Sequence, residues 1–518
     1  MNTLTKSSYV YSLRKNNTYH PGDVVEFYLT PSNAFINTQN THMVFNVKLT
    51  GKQFKGCLSS DAGVYSLFRS VTITSGDGET VLEELNYYAL AQAIKYHFEN
   101  NESGNNLQYL HEGRPNKNHL NPGDTSYNQY CDCTDASGNH YNTVECTVPL
   151  WLSGILSPNR TLVWPNAYTR GLRIRLELYD SETVFEAAQA PMFGVDGVAN
   201  GEYGGYSAVA SYLCQTAAAS GSRNIVLKKE GDSIERAGVL SADIAPDKDG
   251  VGCAHLFSAD QWININSVEY QIHSVEINGD NRISITLTSD LTADVAVDGA
   301  VWVSTSTSRN DISVDIDNVR MNVSVAEPPK AFVDTMNSRL KSGKMNLDIN
   351  SYTCYPFNLS KGSLSNTIPL NARNKRCKAL IVVPMSGGSK SSIPTNKSFT
   401  PTLETPRSYQ LALHGGVLAP DRLVNLERYN NERYDAVHLR ELMLGLQAAG
   451  YKVRDIRDVH KFMTIARRFA LPGYSFDAQG QISMNLNYKD LSEPVVLMNY
   501  LHHKRQIQVR SEGISVVT

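Results

Sequence analysis

No apolar run in this chain approaches the ~18 to 20 residues that a membrane-spanning helix requires, and the opening segment Met1 to His20 lacks the hydrophobic stretch of a secretory signal. The sequence therefore predicts a soluble protein that folds in the cytosol. An excess of charge of one sign is also missing. Lys and Arg total 48 against 51 Asp and Glu, a formal net charge of −3, so no global field exists to hold nucleic acid by counterion release. The local basic stretch Arg373 to Lys378 reads as a solvated loop. Cysteine is sparse: Cys57, Cys131, Cys133, Cys146, Cys214, Cys253, Cys354 and Cys377 are scattered over 518 residues, the pattern of reduced thiols and not of a disulfide framework.

Signatures of chemistry are missing as well. There is no Gly-x-Ser-x-Gly elbow and no His-Glu-x-x-His. Ala379 to Val383 followed by Pro384 to Ser391 has the outline of a strand and phosphate loop, but Ser389 separates Gly388 from Lys390 and breaks the Walker spacing. Cys131, Cys133, His140 and Cys146 carry the right donor atoms for zinc, yet one residue between the first two cysteines departs from the usual spacing. These cysteines read as loop thiols. His502 and His503 are strand neighbours that face opposite sides and so cannot share one ion; they read as one surface and one core side chain. Asp247-Lys248-Asp249-Gly250 fails as a calcium loop because Ala245 and Leu256 stand at the first and closing ligand positions. Asp315 and Asp317 share a strand face, whereas paired catalytic carboxylates come from separate elements of a cleft. No catalytic, cofactor-binding or metal-binding residue is assigned, and the chain is read as a non-enzyme.

What is present is β-structure written twice. With 41% hydrophobic and 19% charged residues the chain is globular, and its length exceeds one core. The 27 tyrosines suit half-buried strands and wet interfaces. Met43, Phe45, Val47 and Leu49 alternate with Val44, Asn46 and Lys48, and Leu172 to Leu178 alternates likewise. Ser70 to Thr74 and Thr80 to Glu83 flank Ser75-Gly76-Asp77-Gly78, a hairpin turn whose glycines are expected to supply positive φ. An amphipathic helix follows over Tyr87 to Glu99, capped by Asn86. Asn100 to Tyr141 is polar and reads as a surface loop system.

Beyond Asp180 the pattern changes. Ser181 to Ala190 is expected as a short helix, then glycine-rich 194–205 crosses into an inserted all-β module with strands over Gln261 to Ile265, Val268 to Ile277, Arg282 to Thr288 and Ala300 to Val303. Ile312, Val314 and Ile316 then alternate in one phase and Val319, Met321, Val323 and Val325 in the other, so a bulge is predicted at Asp317-Asn318. Pro328-Pro329 ends that strand and a helix is expected over Lys330 to Leu340. A second β-domain follows, with strands over Leu347 to Leu359, Ala379 to Val383, Tyr409 to Leu413, Gln481 to Tyr488 and Gln506 to Val509, and its own helix over Tyr434 to Ala449.

Phe27-Tyr28-Leu29-Thr30-Pro31, Asn40 to Val47, Pro149-Leu150 with Ser153-Gly154-Ile155, and Gly171 to Ile174 resemble the first roll of double jelly-roll major capsid proteins, most of all those of virophages and Polinton-like viruses in the tailless-phage and adenovirus lineage. Phe476-Asp477, Gly480 to Ser483 and Tyr500 to Arg505 resemble the closing strands of the second roll. The resemblance implies an all-β fold of two tandem jelly-roll sandwiches, each with an embedded helix: 1–193 with 311–330 as the first roll, 194–310 as an inserted tower module, 331–343 as a linker helix and 344–518 as the second roll. It further implies a homotrimer whose six rolls form a pseudo-hexagonal capsomer of an icosahedral shell, with neighbouring capsomers, penton and minor or cement proteins as partners, no direct nucleic-acid contact and no cofactor. A minor vertex protein, or a carbohydrate-binding β-sandwich stacking sugar on Trp262 or Trp302, are the alternatives. An internal membrane beneath the shell is left open.

Overall fold

The computed structural model describes residues 5–14, 18–51, 56–58, 62–99, 133–134, 140–158, 163–179, 185–187, 212–214, 216–229, 262–265, 268–278, 282–297, 300–303, 312–341, 343–386, 406–413, 416–417, 424–426, 436–453, 463–469, 473–476, 481–489, 491, 494–510 and 513–517. Eight principal strands build a first sandwich: Thr5–Tyr11, Val24–Leu29, His42–Gly51, Phe68–Ser75, Val81–Asn86, His140–Val148, Leu172–Leu178 and Ile312–Ala326. Numbered in chain order, they pair as 1-8-3-6 in one sheet and 2-7-4-5 in the other, all antiparallel. Lys344–Leu359, Ser365–Asn371, Arg376–Ser386, Ser408–Leu413, Gly416–Val417, Ile465–Arg468, Gln481–Asn487 and Val495–Arg510 repeat the same 1-8-3-6 and 2-7-4-5 orders in a second sandwich. That order is the double Greek key of a jelly roll. The fold is two jelly rolls in tandem.

Alternation dictates the cores. In His42–Gly51, Met43, Phe45 and Val47 are buried between the sheets, and Leu172, Ile174, Leu176 and Leu178 do the same from the facing sheet. The slip in Ile312–Ala326 falls where the phase change requires it. Register shifts between Asp317 and Arg320, and Asn318 takes a left-handed φ of 51°, a conformation that asparagine tolerates better than most residues.

Between strands 7 and 8 of the first roll, Tyr212–Cys214, Asn224–Lys229, Arg282–Leu287, Val268–Asn278, Trp262–Ile265 and Ala300–Val303 close into a barrel. Ile225, Leu227, Ile263, Ile265, Tyr270, Ile272, Ile285 and Leu287 fill it. Strand directions alternate, so the connection carrying this barrel leaves the roll at the same end as the connection carrying the helix Tyr88–Glu99. The helix Lys330–Lys341, which joins the rolls, starts from the opposite end.

Several local expectations are corrected. The segment after Asp180 holds no helix among its described residues; Phe185–Ala187 is a strand paired with Gly56–Leu58. Tyr212–Cys214 and Asn224–Lys229 were not read as strands: the first has only three residues, and the second places Ile225, Val226 and Leu227 in a row without alternation. The first helix starts at Tyr88, one residue later than expected. Asn86 does not cap it: its side-chain amide donates to Glu84 at 3.0 Å, and the chain turns into the helix through Tyr87 at φ 54°. Nor is that helix amphipathic, since all but His97 and Glu99 are buried, a consequence of cover on two sides described below. In the 75–78 turn only Gly78 has positive φ, at 80°. Gly76 is required for room instead, because a Cβ there would lie 1.8 Å from the Arg170 carbonyl oxygen.

Candidate functional site

The residues weighed as chemical candidates do not converge. Cys131 and Asp247 to Gly250 lie outside the described residues, as do 387–391 of the glycine loop and the side chains of Cys133, His140, Trp262 and Trp302. Cys146 is no loop thiol but lies inside the first core on strand 6. Among the described residues no group of three metal-ligating side chains forms, and Cys214, Cys354 and Cys377 are buried free thiols. Burial pushes the Cys377 thiol up to about 12, which makes it inert as a nucleophile. Asp315 accepts from His20 at 2.7 Å and Asp317 from the Asn46 amide at 2.8 Å, so neither faces the other across a cleft. Lys375 in the basic stretch donates to the Tyr355 hydroxyl at 2.8 Å and to Thr353 at 3.1 Å, a structural strut where a solvated loop was expected.

His502 and His503 are both buried, against the expectation of one on the surface. His502 is packed between the rings of Tyr352 and Tyr451, at centroid distances of 5.6 and 5.8 Å. His503 Nε2 meets Thr353 Oγ1 at 3.0 Å from the other face. Burial pushes His502 down to about 3, helped by His503 and Lys378, and His503 down to about 4, helped by Lys375. Both imidazoles are neutral at pH 7.

What does converge is the junction between the rolls. The 1-8-3-6 sheet of the second roll is covered on both faces, by its own partner sheet and by the first roll, so Val495–Arg510 is buried along most of its length. Ile349, Tyr352, Met498 and Tyr500 join Tyr88, Ile94 and Leu85 of the first roll in a single apolar cluster. The helix Tyr88–Glu99 lies in this contact. The Tyr500 hydroxyl donates to the Tyr87 carbonyl at 3.0 Å, and the Lys452 backbone N–H to Glu99 at 2.8 Å. Lys95, itself buried, pairs with Glu99 at 2.8 Å and stands 4.5 Å over the Trp151 ring.

A buried carboxylate fixes the centre of the contact. Glu83, fully enclosed, accepts from the Ser153 hydroxyl at 2.7 Å and the Gly154 backbone N–H at 2.6 Å. Ser153 Oγ in turn accepts from the N–H groups of Ile155 and Leu156 at 3.1 and 3.0 Å, so one side chain orders a whole turn. Across the junction, burial pushes the Arg505 guanidinium down while Glu83 and Glu84 hold it up. Gly154 touches the second roll directly, since a Cβ there would lie 2.5 Å from the Asn350 carbonyl oxygen and 3.0 Å from Ile349 Cβ. Sequence reasoning marked Ser153-Gly154-Ile155 only as part of a resemblance and missed Glu83, Lys95 and Arg505. Their charge argued for the surface, yet Glu83 and Lys95 are buried and Arg505 is half-buried.

No family model matches the sequence, and no curated protein matches it. Solved structures do. The Faustovirus major capsid protein aligns over 97% of this chain and 90% of its own length at 9% identity, with a TM-score of 0.50. PBCV-1 VP54, fitted into a reconstruction of the virophage Sputnik, covers 100% of this chain and 97% of its own at 8% identity and a TM-score of 0.47. The mavirus major capsid protein covers 98% and 89% at 10% identity and a TM-score of 0.37. At such identity the shared property is the fold, a double jelly roll over nearly the full length of the chain.

Proposed function

We propose that this chain is the major capsid protein of an icosahedral virus, forming homotrimeric capsomers in which six jelly rolls stand as a pseudo-hexagon. The observation that carries the reading is the repeated 1-8-3-6 and 2-7-4-5 strand order in two rolls joined through a continuous buried junction. Two like rolls held rigidly side by side are one third of a six-lobed ring, and a single-roll vertex protein would not need such a junction. Full-length likeness to the Faustovirus major capsid protein supports the same reading. The protein would then reside in the virion shell, contact neighbouring capsomers together with penton and minor proteins, and perform no catalysis. A formal net charge of −3 fits a shell that does not grip nucleic acid directly.

Within this reading, 1–193 with 311–330 forms the first roll, 194–310 the inserted module, 331–343 the linker and 344–518 the second roll. The inserted barrel leaves the end opposite the linker helix, which supports a projection on the outer side of the shell. Light scattering of the purified protein tests the proposal. Particles of three times 57.3 kDa are expected; a monomer at all salt and pH values would overturn it.

A further inference from the structure

The same sheet is treated differently in the two rolls. In the second roll the outer face of the 1-8-3-6 sheet is covered by the first roll of the same chain. In the first roll that outer face carries Tyr9, Asn322 and His42 in one row and Tyr11 opposite Arg320 in the next. Tyr11, Tyr9 and Leu13, at 61%, 57% and 57%, are the most exposed large apolar side chains among the described residues. Thr5–Tyr11 is moreover the terminal strand of its sheet, with Lys6 to Tyr9 exposed on both faces. Burial does not account for such a strand. Yet the Tyr9 ring is held in place, for the Arg320 guanidinium lies 5.5 Å over it and pairs with Glu145 at 3.3 Å.

We propose that this outer face, centred on Tyr9, Tyr11 and Arg320, receives the second roll of a second copy. The in-chain contact is heterologous, one face of the second roll against a different surface of the first. A heterologous contact repeated between copies closes a ring when the rotation permits. With two rolls per chain, in-chain and between-chain contacts then alternate around the ring. Charge selects the occupant. Arg320 and Lys48 stand against Glu145, Asp315 and Asp317 on the same face, a sum of only −1, and His20 is paired to Asp315. A nearly neutral, slightly acidic face does not attract a polyanion or an anionic membrane, but it suits a near-neutral protein such as a copy of this chain. Exposed tyrosines beside an arginine are the side chains that dominate wet protein interfaces.

The inference rests on the trimeric shell reading, and the experiment separates the two. The full chain, the double variant Tyr9→Ser/Tyr11→Ser and the control Val297→Ser, exposed on the inserted barrel, are weighed by mass photometry over a dilution series. The wild type and the control are expected to stay trimeric, while the double variant dissociates at a concentration raised by about 30-fold or more, the loss of at least one hot spot per contact. A wild type that is never trimeric overturns the shell reading and this one with it. A trimeric wild type with an unchanged double variant, or a control that dissociates equally, overturns the face alone. Should the double variant misfold, Tyr11→Cys gives a second readout, with maleimide labelling at that peptide at least tenfold slower in trimers than in diluted monomers; equal rates refute the contact.

Discussion

Replacing Glu83 by Ala should unlock the rolls from each other. The substitution strips the acceptor from the Ser153 hydroxyl and the Gly154 N–H, both buried, and each orphaned donor costs about 1 to 3 kcal/mol. It also removes a negative charge that helps hold the half-buried Arg505 guanidinium protonated against the cost of burial, a smaller loss than the two orphaned donors. These losses share one side chain and do not add fully. A net cost of about 4 kcal/mol follows, which lowers a urea midpoint by more than 1 M for m of about 3 kcal/mol/M. Tryptophan fluorescence is the assay, because Trp151 sits beside Lys95 in this contact. Glu83→Gln keeps an acceptor and loses less, while Glu84→Ala, one residue away and exposed, stays within about 0.5 kcal/mol. A Glu83→Ala midpoint indistinguishable from wild type would refute the claim that this carboxylate anchors the junction.

Further outcomes follow from the same structure. Gly154→Val should be as damaging as Glu83→Ala, since its first added carbon already lies 2.5 Å from Asn350; wild-type melting would show that the rolls can separate without cost. His502 and His503 are held at about 3 and 4 in the fold, against 6.5 when unfolded. The unfolded chain therefore binds more protons between those values, so stability is full above pH 6.5 and falls as pH drops towards 4. The loss by pH 5 is on the order of 4 kcal/mol for the pair, read as a falling urea midpoint; a midpoint constant from pH 7 to 5 would contradict it. Removal of Ser207 to Ser306 should spare formation of the proposed trimer, because the inserted barrel closes on itself; insoluble or monomeric product would count against its independence.

Much of the architecture was legible because strands with one buried face advertise themselves. The phase change at Asp317-Asn318 gave the bulge, and alternation gave Met43 to Val47 its inward set. Failures came where tertiary cover overrides local pattern. Tyr88–Glu99 carries Gln92 and Lys95 on faces that look polar in sequence, yet both are buried, Gln92 donating to the Trp151 carbonyl at 3.0 Å and Lys95 standing over the Trp151 ring. His502 and His503 were split into surface and core by the same reasoning, which holds for a sheet wet on one side and fails for one covered on both. Phe185–Ala187 is a strand through its pairing with Gly56–Leu58, a partner more than 120 residues away that no local window contains. Glu83 gave no signal at all, since a carboxylate beside Leu82 and Leu85 reads as the wet side of a strand until Ser153 and Gly154 are brought to it.

The central claim is that two like rolls, locked within the chain, repeat around a threefold axis. Electron microscopy of the purified protein tests it most directly. Class averages with six lobes of similar size in a hexagonal outline, with three projections from one end, are the predicted result. Particles with one or two lobes at every concentration, or a ring with any other number of rolls, would contradict it.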